Sequence, residues 1–109
     1  MNWNELESLD QLATIDAESA SQPVLIFKHS TRCSISATSL ARVERGWKSD
    51  MPLKAYYLDL IAFRNISNEI AQRYGVEHQS PQVLIIRNGK CIYTETHSGI
   101  NTDDMLKAL

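Results

Sequence analysis

Two short stretches of the chain are apolar without interruption, Val24-Leu25-Ile26-Phe27 and Val83-Leu84-Ile85-Ile86. A strand with one wet face alternates apolar and polar residues, so unbroken runs read as strands buried on both faces at the centre of a sheet. Around them the apolar period becomes helical. Leu9, Leu12 and Ile15 predict a helix over roughly residues 9 to 18, with Ser8 and Gln11 as a capping box and Trp3 and Leu6 packing ahead of it. Ser19-Ala20-Ser21-Gln22-Pro23 ends that pattern. Leu40, Val43 and Trp47 give a second helix one apolar face, with Arg42 and Arg45 on the opposite side and Glu44 flanking the stripe. Ile35 lies off the stripe and is free to serve a site. Gly46 weakens the end of this helix, and Asp50-Met51-Pro52 closes it.

Leu53 to Leu60 holds several strand formers and follows that helix at the interval of a right-handed crossover to a parallel neighbour. Ile66, Ile70, Ala71 and Tyr74 mark a third helix, with Asn65 or Ser67 as cap and Gly75 at its C-terminal end. Asn88-Gly89 is a favoured two-residue hairpin turn, so the last two strands run antiparallel. Asn101 or Thr102 then caps a short helix carrying Met105, Leu106 and Leu109. The order is helix, βαβ, helix, ββ, helix: an α/β fold with a four-stranded mixed sheet covered by helices on both faces. Residues 1–109 form a single domain in this reading.

Composition narrows the function classes. A chain of 109 residues supports one core and not two. Eleven basic and thirteen acidic residues, interspersed to a net charge of −2, provide no field for a phosphate backbone, so nucleic acid is not an expected partner. Met1-Asn2-Trp3-Asn4-Glu5 lacks the charge and apolar run of a secretory leader, and no stretch is long enough to cross a bilayer; the expectation is a soluble cytoplasmic protein with no membrane partner. The two cysteines, Cys33 and Cys91, are expected to be free thiols in that compartment.

Cys33 carries the candidate chemistry. It lies beyond the carboxyl end of the first central strand, where ligands collect in open α/β sheets, and at the start of the second helix. There, unpaired backbone N–H groups and the positive end of the macrodipole favour a thiolate, and Arg32, with Lys28 or His29, acts in the same direction. The alternative is a tolerated helix-initiating cysteine. Ser36, one turn on, can donate its hydroxyl to the thiolate or be an ordinary first-turn serine. Cys91 follows the hairpin turn, roughly 20 Å of strand from the site end, which leaves it a packing residue rather than a resolving thiol. Pro81, in Ser80-Pro81-Gln82, precedes a strand beside the first one. Its peptide bond can be cis, leaving the backbone of Ser80 to pair with an extended substrate, or trans as the plain start of a strand. His29, His78 and His97 should end near the same rim, and their irregular spacing reads as separate residues rather than a metal site.

The sequence resembles the monothiol bacilliredoxins, the YtxJ-like group of the thioredoxin-like fold, over nearly its whole length. The resemblance is carried by Phe27-Lys28-His29-Ser30-Thr31-Arg32-Cys33 with Ile35-Ser36, by Val76 and His78 before Ser80-Pro81-Gln82, and by His97-Ser98 with Ile100. It implies Cys33 as redox nucleophile and Pro81 as a cis-proline beside it. The implied activity is thiol–disulfide exchange on proteins carrying bacillithiol as a mixed disulfide. Bacillithiol is then the co-substrate, no cofactor is bound, and Lys28 and Arg32 are contacts for this small anionic thiol, with His29, Ser80 and His97 around it. Ser34 departs from the proline that the family often has there. A glutathione-linked role, a non-catalytic binding module and a metal or cluster carrier are the alternatives. The Ser34-Ile35 filling is unlike the Gly-Phe of cluster-binding monothiol glutaredoxins.

Overall fold

The uninterrupted run becomes the central strand of the sheet because both of its faces find cover. In the computed structural model, which describes residues 1–109, five strands run β1 Asn4–Glu5, β2 Val24–His29, β3 Lys54–Asp59, β4 Gln82–Arg87 and β5 Lys90–Thr96. The helices are α1 Asp10–Glu18, α2 Ser34–Gly46, α3 Arg64–Tyr74 and α4 Thr102–Lys107, with a single 3₁₀ turn at His97–Gly99. The strand order is β1-β3-β2-β4-β5. β2 is parallel to β3 and antiparallel to β4, and β4 is antiparallel to β5.

Strand alternation divides the core in two. Val24 and Ile26 join Leu58, Leu84 and Ile86 on the face covered by Leu12 and Ile15 of α1 and Ile66 and Ile70 of α3. Leu25 and Phe27 join Ala55, Val83 and Ile85 on the face covered by Val43 of α2 and Met105 of α4. The α/β class and the helices on both faces are as the sequence predicts. The sheet has a fifth strand, however. Asn4 and Glu5 pair in parallel with Tyr56 and Tyr57, a two-residue polar edge strand with no alternation of its own to read. Trp3 and Leu6 flank it, Trp3 packed edge-on to Phe27 and Tyr57 and Leu6 buried against the α1–α3 face.

Helix ends follow local chemistry with three corrections. At α1 only half of the capping box forms: Gln11 Oε1 accepts from the N–H groups of Glu7 and Ser8, while the N-cap, Leu9, has no side-chain bond. α3 begins at Arg64 and is capped by neither Asn65 nor Ser67; Asp59 Oδ1 instead holds the preceding turn through the N–H groups of Ile61 and Ala62. α2 stops at Gly46, before Asp50. That glycine is a close-approach site: a Cβ there would collide with Thr102 Oγ1 and sit 3.2 Å from its Cγ2, so α2 and α4 pack at a distance only glycine allows. Gly75 terminates α3 with φ 65°. Asn88 and Gly89 turn the hairpin with φ 53° and 73°, as a type I′ turn requires. Asn101 Oδ1 caps α4, accepting from Asp104 N at 2.9 Å.

Candidate functional site

The carboxyl end of β2, the start of β4 and the 3₁₀ turn meet at one edge of the sheet, and Cys33 stands over it. After His29 the chain leaves β2, turns with Cys33 N donating to Ser30 O at 3.2 Å, and enters α2 with Cys33 as N-cap in extended conformation. Its partly exposed thiol belongs to the capping residue but makes no hydrogen bond to the N–H groups of the first turn. No acidic residue lies in the first turn of α2 to compete for those donors. Ile35 beside it is 56% exposed, off the packing stripe as its position predicts.

Ser36 is buried, and its hydroxyl is committed elsewhere than to the thiol. Its Oγ accepts from Ser30 N at 3.0 Å and lies 2.7 Å from His29 Nδ1. Burial depresses the His29 pKa, against the pull of Asp59 and Glu44, so the ring is neutral at pH 7. With the imidazole proton on Nε2, Ser36 donates to Nδ1. Its hydroxyl therefore locks the turn that delivers Cys33, and the anticipated donation to the thiolate gives way to this inward pair. His29 is itself buried, against the rings of Phe27 and Tyr57, so it supports the turn from below.

Lys28 requires the largest correction. Strand parity places it on the same face as Val24 and Ile26, and it is 0% exposed, so it is not a contact for a small thiol at the rim. Its Nζ donates to Ser67 O at 3.2 Å and lies 3.4 Å from His78 Nδ1, against which Ser67 Oγ also rests at 3.2 Å. Burial pulls the ammonium down to about 8. The His78 pKa is lowered too, by burial first and then by Lys28 and Arg64. Gln82, opposite Lys28 in the register, holds the same loop by donating to Glu77 O at 3.0 Å. This polar cluster anchors residues 77 and 78, which lead into Ser80 and Pro81. Arg32 stays exposed at the turn.

The Ser80–Pro81 peptide is cis. Pro81 O accepts from His97 N at 3.1 Å, and α2 holds the 3₁₀ turn from the other side, Ser39 Oγ donating to His97 O at 3.1 Å and Arg42 Nη1 to Ile100 O at 2.9 Å. His97 is exposed, with φ 53°. The helix that begins at Cys33 thus also fixes the rim on which Pro81 and His97 sit. The three histidines are kept apart, His29 under α2, His78 against α3 and His97 at the surface, and no group of three or more His, Cys, Asp or Glu is placed to hold a metal ion.

Cys91 is at the opposite end. It pairs with Ile86, which pairs with Val24, the first residue of β2, so about 17 Å of strand separates it from the end of β2 before the turn to Cys33 is counted. It packs against the α1–α3 core, its Sγ donates to Tyr93 O at 3.2 Å, and burial raises its pKa. No second thiol can reach Cys33 within the chain. Arg42 is the site residue that the sequence reading missed. Helical periodicity assigns it to the side away from the core and leaves out the 3₁₀ turn that α2 meets there.

Known proteins share this fold. A structure with a thioredoxin fold superposes with a TM-score of 0.84 at 30% identity, over 95% of this chain and 90% of that one. The Malassezia sympodialis thioredoxin Mala s 13 gives 0.71 at 19% identity, over 98% and 86%. Mitochondrial thioredoxin 3 of Saccharomyces cerevisiae gives 0.73 at 12%, over 96% and 91%; at such identities these two establish the fold alone. The sequence model of the family described as Monothiol bacilliredoxin BrxC matches residues 4–105. With that match over nearly all of a thioredoxin-like domain, the chain belongs to the monothiol bacilliredoxin family, and its activity class is thiol redox chemistry.

Proposed function

We infer that the protein removes bacillithiol, or a similar small thiol, from protein mixed disulfides in a reducing cytoplasm, one thiol at a time. The observation that carries this reading is the half-exposed Cys33 at the head of α2 with its only companion thiol at the far end of the sheet. The Cys33 thiolate attacks the small-thiol sulfur of the mixed disulfide. An S–S bond forms between Cys33 and the small thiol, and the substrate cysteine leaves as thiolate and takes a proton from water. A second small-thiol anion attacks the adduct sulfur, forming the symmetrical small-thiol disulfide and returning Cys33 as thiolate. The incoming thiol is the reductant: its sulfur passes from thiolate to disulfide as the substrate cysteine passes from disulfide to thiolate, while the adduct sulfur stays at the disulfide level, so no bound redox cofactor is needed. The backbone N–H and C=O of Ser80, just ahead of β4, have no partner within the protein, which leaves them for an extended substrate segment to pair with.

The test is mass spectrometry of wild type, Cys33→Ala and Cys91→Ser after incubation with a bacillithiolated protein. The expected result is an adduct on Cys33 in wild type and in Cys91→Ser and none in Cys33→Ala. Transfer that survives loss of Cys33, or that needs Cys91, refutes the mechanism.

A further inference from the structure

With Lys28 turned inward, the cations left near the head of α2 are Arg32, exposed at the turn, and Arg42, about two turns along the helix. A groove of about 220 Å³ runs along α2 from Ser34 and Ile35 past Thr38 and Ser39 to Arg42, with Ser98 of the 3₁₀ turn as its opposite lip. Arg42 is held in place by its bond to Ile100 O. That bond uses one of its five donors, the others have no protein partner, and no carboxylate pairs with it. A guanidinium that is pinned, without a counter-ion and lining a depression is pre-organised for a carboxylate.

The spacing selects the ligand. Ser34 and Arg42 are about 12 Å apart along the helix axis at 1.5 Å per residue, and an arginine side chain on a helix leans back toward the N-terminus. A molecule joined to Cys33 through sulfur reaches Arg42 only if its carboxylates lie most of that length away. Free cysteine, whose carboxylate is a few bonds from its sulfur, is too short.

We propose that this groove is the subsite for the carboxylate end of the small thiol carried on Cys33, and that Arg42 determines which thiol is accepted. The proposal rests on the exchange reaction above and adds to it the residue that selects the co-substrate. Thr38 and Ser98 give the groove a polar lining, and Ile35, two residues on from Cys33, adds an apolar one.

The experiment compares transfer to Cys33 from one protein carrying either a bacillithiol adduct or a cysteine adduct, in wild type, Arg42→Gln, Arg42→Lys and Ser98→Asp. Arg42→Gln should lower kcat/KM for the bacillithiol adduct about tenfold more than for the cysteine adduct, as expected for one charge-assisted contact at a wet site. Arg42→Lys should recover part of that difference. Ser98→Asp, which leaves the Ile100 tether intact, should produce the same selective loss by repulsion. Equal effects on the two adducts, or none, with a competent wild type, overturn the subsite and leave the exchange mechanism standing. A wild type that transfers neither adduct overturns both.

Discussion

Replacing Lys28 by methionine should make the protein more stable, and by an amount that depends on pH. Methionine matches the length of the lysine stem without the charge. The ammonium is fully buried between β3 and β4 under α3, and burial lowers its pKa from 10.5 to about 8, equivalent to about 3 kcal/mol at about 1.4 kcal/mol per tenfold change. The substitution leaves no partner orphaned. Ser67 O lies within α3 and keeps its helical bond, and His78 Nδ1 keeps Ser67 Oγ. At pH 7 Lys28 is charged in both folded and unfolded chains, so the full penalty applies and Lys28→Met should gain about 1 to 3 kcal/mol. Between about pH 8 and 10.5 the folded protein has released the proton and the unfolded chain still holds it. Wild-type stability therefore rises with pH in that window, and the advantage of the variant shrinks toward zero. Urea unfolding of both proteins at pH 7, 9 and 10.5 measures this directly. Taking the difference between them removes the tyrosines and Cys91, which titrate nearby. A variant less stable than wild type at pH 7, or a difference flat in pH, refutes the buried-charge account. A fall in adduct exchange with unchanged stability would return Lys28 to the rim.

Gly46→Ala should lower stability by about 1 to 3 kcal/mol in urea unfolding, although alanine is the better helix former by about 1 kcal/mol, because the new methyl meets Thr102; Thr102→Ala in the same chain should recover most of the loss. Since burial depresses the His29 pKa, the folded protein resists protonating it. Stability should fall as pH drops below about 6.5, and NMR titration should place the ring below the midpoint of a free histidine. A midpoint at or above the free value contradicts the neutral His29–Ser36 pair.

Several features of the site were present in the sequence in a form that required only the right parity. Lys28 shares its alternation with Val24 and Ile26, so its inward direction follows once β2 is known to be covered on both faces. What parity does not contain is which face borders Cys33, because that depends on whether α2 or α3 packs there. Ser36 is one turn from Cys33 in any helix, yet the partner of its hydroxyl is decided by His29, brought underneath by the turn at Ser30.

The sequence by itself determined the two-faced central strands, the hairpin at Asn88-Gly89, the glycine end of α3, the position of Cys33 at the head of α2 and the distance of Cys91 from it. These rest on periodicity, turn chemistry and strand length, which act over a few residues and so are written locally. The tertiary structure decided the fifth strand at Asn4–Glu5, the pairing of Lys28 with Ser67 and His78, the lock between Ser36 and His29, and the groove that ends at Arg42. Each of these depends on residues far apart in the chain being packed together, and the energy that selects the partner is that of burial and hydrogen bonding across elements. Arg42 is the clearest case: as a helical position it reads as solvent-facing, and it becomes a pinned cation at the far end of the groove from Ser34 only when the 3₁₀ turn at residues 97–99 is laid against α2.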